Sequence, residues 1–272
     1  MDVLISVTEL AEQLSEVRVL DVRWKVMAPD GRDDYLAGHI PGAVFVDLDT
    51  ELSDHSVTGR GRHPLPGAAA LQEAARRWGI CAGDTVVVYD DWGGQAAARA
   101  WWLLRAGGVA DVRLLDGGWA AWQRAGLPTA TGDVVPDAGD VTITELTGLP
   151  TATADDVAAG AGVLLDARAA ARYRGDEEPL DPRAGHIPGA VSMPTTDNLT
   201  AEGTFRPVAE LQARFGTVGA TPVTVYCGSG VTATHQIAAL ALAGIDATLY
   251  PGSWSEWSND PARPAVTGPD PG

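Results

Sequence analysis

Short uninterrupted apolar runs alternate along the chain with longer stretches whose apolar positions recur every three or four residues. Ser6 and Glu9 form an S-x-x-E capping signature before TELAEQL (8–14), which predicts a short amphipathic helix. The run VRVLDV (17–22) predicts a strand, followed by a Gly/Pro-rich turn at 38–42. AALQEAARRWGI (69–80) reads as helix, TVVVY (85–89) as a buried strand and GQAAARAWWLLRAGG (94–108) as a helix stopped by glycines. VRLLD (112–116) closes the series as a strand leading into GGW. Strands with apolar residues on both faces, alternating with helices, predict an α/β fold with a parallel sheet covered by helices on both faces.

The series is then written a second time. VLDVR (19–23), AGHIPGA (37–43), VVVYDD (86–91) and LLDGGWAAW (114–122) return in the same order as LLDAR (164–168), AGHIPGA (184–190), VTVYCG (223–228) and LYPGSWSEW (249–257). TPVTVY (221–226) supplies a strand and TATHQIAALALAGI (232–245) a helix, stopped at Gly244. A repeat this long means two duplicated domains rather than a solenoid. The Pro-, Gly- and Asp-rich stretch 128–140 reads as a linker, so the expected domains are 1–127 and 141–272.

Composition adds limits. The 272 residues are 45% hydrophobic, enough for packed cores, and no apolar run is long enough to cross a membrane. The N-terminus has no basic start and no apolar segment of a signal peptide, which makes the cytoplasm the expected location. Acidic residues outnumber basic ones 36 to 19, for a formal charge of −17, which argues against nucleic acid or an anionic membrane as partner. Screening acts over about 8 Å at physiological salt, so a few local arginines can still hold an anionic substrate. No His, Cys or Asp cluster has metal-ligand spacing, and no cofactor motif is present.

The two copies differ most where a strand meets a helix, the place where open parallel sheets bind ligands. The first copy carries Asp90 there and the second Cys227, followed by Gly228, Ser229, Gly230, Val231 and Thr232. Two glycines let successive N–H groups converge, and the following helix adds its positive end, a setting that stabilises a sulfur anion. A small buried structural cysteine fits this loop poorly. Cys81, in the turn GICAGD (79–84) with no helix start behind it, reads as structural. His39 and His186 stand at equivalent places in both copies, as do Trp119 and Trp254, which favours structural roles for all four.

The duplicated GHIPGA blocks, the C-G-S-G-V-T loop and the closing P-G-S-W-S-E-W resemble the two-domain thiosulfate and 3-mercaptopyruvate sulfurtransferases, the tandem rhodanese-like proteins. The resemblance spans nearly the whole chain. It implies a catalytically silent first half, an active site in the cleft between halves, and a persulfide carried on Cys227. Thiosulfate users of this family often carry Arg or Lys just after the cysteine; Gly228 and Ser229 instead look like the 3-mercaptopyruvate type. In that type an arginine grips the donor carboxylate, and Arg172 matches it. Asp181 stands where a second arginine is expected, leaving Arg183, through a shifted loop, as the expected substitute. The resemblance further implies a relay of Ser229, His63 and Asp49 for the donor's thiol proton. Gly228, Gly230, Val231 and Thr232 complete the expected binding loop.

The expected function is therefore sulfur transfer from 3-mercaptopyruvate to a thiophilic acceptor: cyanide, a small thiol or thioredoxin. Thiosulfate as donor is the first alternative, and a sulfur carrier that does not turn over is the second. A phosphatase is disfavoured, because its loop needs an arginine where Ala233 stands.

Overall fold

A computed structural model describes residues 2–216, 218 and 221–272. The chain forms two compact units. The first comprises 1–54, 66–149 and 200–205, and the second comprises 55–65, 150–199 and 206–272. This division differs from a cut at 127 and 141. The stretch 128–140, expected as a linker, is bonded along the first unit. Ala130 and His39 exchange backbone bonds, Gly132 N–H donates to Leu36 O, and Gly139 N–H donates to Arg76 O. The tail of the second unit does the same, with Val266 paired to His186.

In the first unit the strands are β1 (Leu4–Ile5), β2 (Arg18–Asp21), β3 (Val44–Phe45), β4 (Thr85–Tyr89) and β5 (Asp111–Leu115). They form one parallel sheet in the order β1-β5-β4-β2-β3. In the second, β6 (Val163–Asp166), β7 (Ala190–Ser192), β8 (Val223–Tyr226) and β9 (Ala247–Leu249) run parallel in the order β7-β6-β8-β9. A single parallel bridge from Thr151 to Leu249 stands where the first unit has β1. Both sheets are flanked by helices, as the alternating pattern predicts.

The helices that follow β4 and β8 are apolar on every side, the pattern of a helix with no solvent face. Ala97–Ala106 buries all but one of its residues, and Thr232–Leu242 buries an unbroken run from Ala233 to Leu240. Several polar groups inside them find partners: Arg99 donates to Leu52 O, His235 Nδ1 meets Thr195 Oγ1 at 2.7 Å, and Gln236 accepts from Asn198 at 2.8 Å, whereas the Trp101 and Trp102 indole nitrogens and Gln236 Nε2 are buried without a hydrogen-bond partner.

The repeat holds at the level of single bonds. Tyr35 Oη donates to Ala43 O and Tyr173 Oη to Ala190 O; Tyr89 Oη accepts from Ile40 N and Tyr226 Oη from Ile187 N. His39 and His186 each stack on a tyrosine and bond through Nδ1 to that tyrosine's carbonyl. These bonds explain GHIPGA as a structural turn. Beside it, buried Arg23 pairs with Asp21, and Arg168 with Asp166. Each arginine also lies over a tryptophan, Trp119 or Trp254. Burial alone would lower the Arg168 guanidinium, but Asp166 more than reverses this and leaves its pKa raised.

Removing one partner of such a pair strands a buried charge. Arg168→Met is expected to cost about 3–5 kcal/mol in urea unfolding. A cost below about 1 kcal/mol would show that the ion pair is replaceable by packing.

Candidate active site

Strand β8 ends at Tyr226, and Cys227 begins the loop into the helix Thr232–Leu242. Cys227 is 1% exposed, and its Sγ accepts the Gly230 N–H at 3.2 Å. Gly230 has φ +76°, and a Cβ there would lie 2.4 Å from Pro251 O, so no other residue fits without moving the loop. The loop is tied to the segment after β9, because Trp254 N–H donates to Cys227 O and Ser255 N–H to Gly228 O.

The first unit shows what this loop geometry is built to hold. There the Asp90 carboxylate accepts four backbone N–H bonds of 2.8–2.9 Å, from Trp92, Gly94, Ala96 and Ala97. Burial pushes this carboxyl above the ordinary aspartate range, while the four N–H donors pull the other way. The equivalent place in the second unit carries a sulfur that can gain or lose an atom.

Ser253 is a residue that sequence reading overlooked. It is the non-glycine residue at positive φ among those described, at +55°, where the first unit uses Gly118 at +53°. Its Oγ accepts from Cys227 N–H at 3.1 Å and donates to Tyr250 O at 2.9 Å. The left-handed conformation costs roughly 1–2 kcal/mol for an L-residue. Those two bonds offset it and fix the cysteine backbone. The signal was present in the exchange of GGW for GSW between the copies.

Several expected residues gather in the second unit. His63 lies in the first half of the chain, but its segment, 55–65, counts with the second unit. Its Nδ1 is 2.8 Å from Ser229 Oγ, so this pair is formed. Gly228 lies against Arg172: a Cβ at position 228 would stand 3.3 Å from Arg172 Nη1. Val231 stands at the N-cap position of the following helix, without a side-chain capping bond, and Thr232 begins it. Asp49 belongs to the first unit, where its carboxylate accepts from Trp24 Nε1 at 3.3 Å.

Arg183 must be corrected. Its guanidinium donates to four backbone carbonyls, those of Trp257, Ser258, Asp260 and Arg263, each at 2.8 Å. Every nitrogen of the group is used on the segment 257–263, so Arg183 is a structural clamp and does not replace the missing arginine. Trp254 is likewise buried, its Nε1 donating to Arg183 O. Arg62, which sequence reading passed over, comes within 3.1 Å of the same Gly228 position through Nη2.

The model of the rhodanese-like domain matches twice, at residues 6–125 and 150–260. The chain belongs to the rhodanese-like family. Along the whole chain it is 51% identical to the "Putative thiosulfate sulfurtransferase SseB" of Mycobacterium tuberculosis, covering 98% of this chain and 97% of that one. It is 46% identical to the "Probable 3-mercaptopyruvate sulfurtransferase" of Pseudomonas aeruginosa, covering 97% and 98%. Among solved structures, SseA of Escherichia coli, titled a 3-mercaptopyruvate sulfotransferase, superposes with a TM-score of 0.80 at 36% identity, over 94% of this chain and all of that one. Among the described residues of this rhodanese-like protein, no helix is long and apolar enough to cross a membrane.

Ser253→Ala keeps the strained backbone and removes both hydrogen bonds. It is expected to cost about 1–3 kcal/mol of stability and to slow alkylation of Cys227, measured by urea unfolding and iodoacetamide kinetics. Unchanged alkylation would mean that Ser253 does not position the cysteine.

Proposed function

We propose that this sulfurtransferase takes the thiol sulfur of 3-mercaptopyruvate onto Cys227, where it becomes the sulfane sulfur of a persulfide, and passes it to a thiophilic acceptor. The observation that carries the reading is the Cys227 loop, which combines a sulfur held by the Gly230 N–H, a Ser229–His63 pair at 2.8 Å, and no side chain at Gly228 to fill the space before the arginines. In the first step the Cys227 thiolate attacks the donor sulfur. The new S–S bond forms as the donor's C–S bond breaks, and the electron pair leaves on carbon. The donor's thiol proton ends on that carbon, giving pyruvate and a Cys227 persulfide anion. Ser229 and His63 carry that proton, since histidine exchanges protons near neutral pH. Inward-facing N–H groups of the loop hold the persulfide. Arg172 orients the donor carboxylate.

In the second step an acceptor nucleophile attacks the outer sulfur, and Cys227 leaves as thiolate. Cyanide would give thiocyanate. A small thiol or thioredoxin would take the sulfur as its own persulfide. This is a two-step exchange in which donor product leaves before acceptor reacts. Asp49 is included in the proposal as the third member of the proton relay, and the cytoplasm as the place of action.

Thiosulfate as donor is the second reading, favoured by the 51% identity to a protein named for that substrate. The same Cys227 persulfide would form with sulfite as leaving group.

Steady-state kcat/KM for both donors, with cyanide as acceptor, separates the two. A preference for 3-mercaptopyruvate is expected, with Cys227→Ser taking up no sulfur by mass spectrometry. Turnover by Cys227→Ser would overturn the mechanism. Ser229→Ala and His63→Gln are each expected to lower kcat on the order of 100-fold with 3-mercaptopyruvate, the scale of a lost proton-transfer group. They should matter less for thiosulfate, which has no thiol proton to move.

A further inference from the structure

The place where family resemblance expects a second arginine holds Asp181, and Asp181 is far from idle. It is 2% exposed in its side chain, and its two oxygens meet two different arginines. Oδ1 pairs with Arg62 Nη1, and Oδ2 accepts from Arg172 Nη2 at 3.2 Å. Glu178, equally buried, takes Arg172 Nη2 at 2.6 Å and Nε at 3.3 Å. Arg62 is delivered by the segment 55–65, whose path is pinned where Arg62 N–H donates to Ser255 Oγ at 3.0 Å. Gly61 allows the close approach, since a Cβ there would lie 2.5 Å from Gly252 O.

Arg62 thus spends Nη1 on Asp181, and Arg172 spends Nε and Nη2 on Glu178 and Asp181, while each keeps its other terminal nitrogen turned toward Gly228. Arg62 Nη2 and Arg172 Nη1 lie 3.1 and 3.3 Å from the position a Cβ on Gly228 would occupy. Two N–H-bearing groups from distant parts of the chain converge beside the residue next to Cys227. Their charge is already balanced: two guanidinium groups face two carboxylates. Arg168 also reaches Glu178, through Nη1 at 3.4 Å, and is matched by Asp166, so with it three guanidinium groups face three carboxylates. A paired guanidinium still donates directed hydrogen bonds, but it offers little net attraction for a second negative charge in a partly desolvated site.

We infer that Arg62 is the second donor-anchoring arginine of this protein, and that Asp181, bridging it to Arg172, makes the site prefer a donor with one negative charge over a donor with two. The inference rests on the sulfur-transfer reading for its biological meaning, but its chemistry is anion recognition and can be tested without turnover. Burial raises the Asp181 carboxyl above the usual aspartate range, with Arg62 and Arg172 working against the shift and the neighbouring Glu178 adding to it.

Calorimetric affinities of pyruvate (a monoanion) and sulfate (a dianion) for the unmodified protein, Arg62→Gln and Asp181→Asn provide the test, beside kcat/KM for 3-mercaptopyruvate and thiosulfate. The unmodified protein should bind pyruvate more tightly than sulfate. Arg62→Gln should weaken both anions and raise KM for both donors about tenfold, the scale of one charge-assisted hydrogen bond. Asp181→Asn keeps an oxygen that can accept from either arginine and removes one negative charge. It should shift the preference toward sulfate and thiosulfate by about tenfold or more. Melting temperatures of both variants establish that they are folded, and Arg62→Lys, which restores charge without the planar fork, should recover only part of the affinity. Unchanged affinities and KM values in folded Arg62→Gln, or a fall in sulfate preference in Asp181→Asn, would overturn the inference. Normal anion selectivity with no sulfur uptake would instead overturn the sulfur-transfer reading and leave Arg62 and Asp181 in their roles.

Discussion

In both units an inner strand of a parallel sheet runs into the start of a buried helix, and N–H groups of the connecting loop turn inward: four in the first unit, and that of Gly230 in the second. Buried donors of this kind need an acceptor, and an anionic one is favoured by the helix end beside them. The first unit meets the demand permanently with Asp90, whose carboxylate occupies four N–H groups. The second places Cys227 Sγ at the corresponding point. A carboxylate cannot be exchanged, whereas sulfur can accept and release another sulfur atom without changing the cradle. In the proposed reaction, the division between a silent and a reactive half follows from this one substitution.

Around each cradle stands a frame repeated bond for bond: a tyrosine spanning the GHIPGA turn, a histidine stacked on another tyrosine, and an Asp–Arg pair under a tryptophan. These groups are buried in both units, including the one with no cysteine. Their role is to hold the strand end and the loop in register. His39 and His186, read from the sequence as structural because both copies carry them, bond within this frame.

Reactivity in the second unit also depends on charge kept local. A chain with a net charge of −17 must create its own anion site. In the proposed site Arg62 and Arg172 do so, and Asp181 and Glu178 pair with them. The result is a set of directed donors with little excess charge, which differs from a loop that places a bare Arg or Lys beside the cysteine.

The duplication, the parallel α/β architecture, the Cys227 loop and the exchange of Cys for Asp between copies were legible from sequence, because each is written within a dozen neighbouring residues as a strand, a turn and a helix start. Ser229 and His63 were named by resemblance, and their 2.8 Å approach needed the fold. Other features were decided by tertiary structure alone. Arg62 and Asp181 are 119 positions apart and carry no local signature. Arg183 looked available until its guanidinium was found closed by carbonyls some 75 residues onward, and the stretch 128–140 looked like a linker until its backbone bonds to the first unit were seen. Local sequence determines which backbone shapes form and where reactive atoms are offered. Which long, flexible side chains meet, and whether their hydrogen-bonding capacity is already spent, depends on distances that only the packed chain defines.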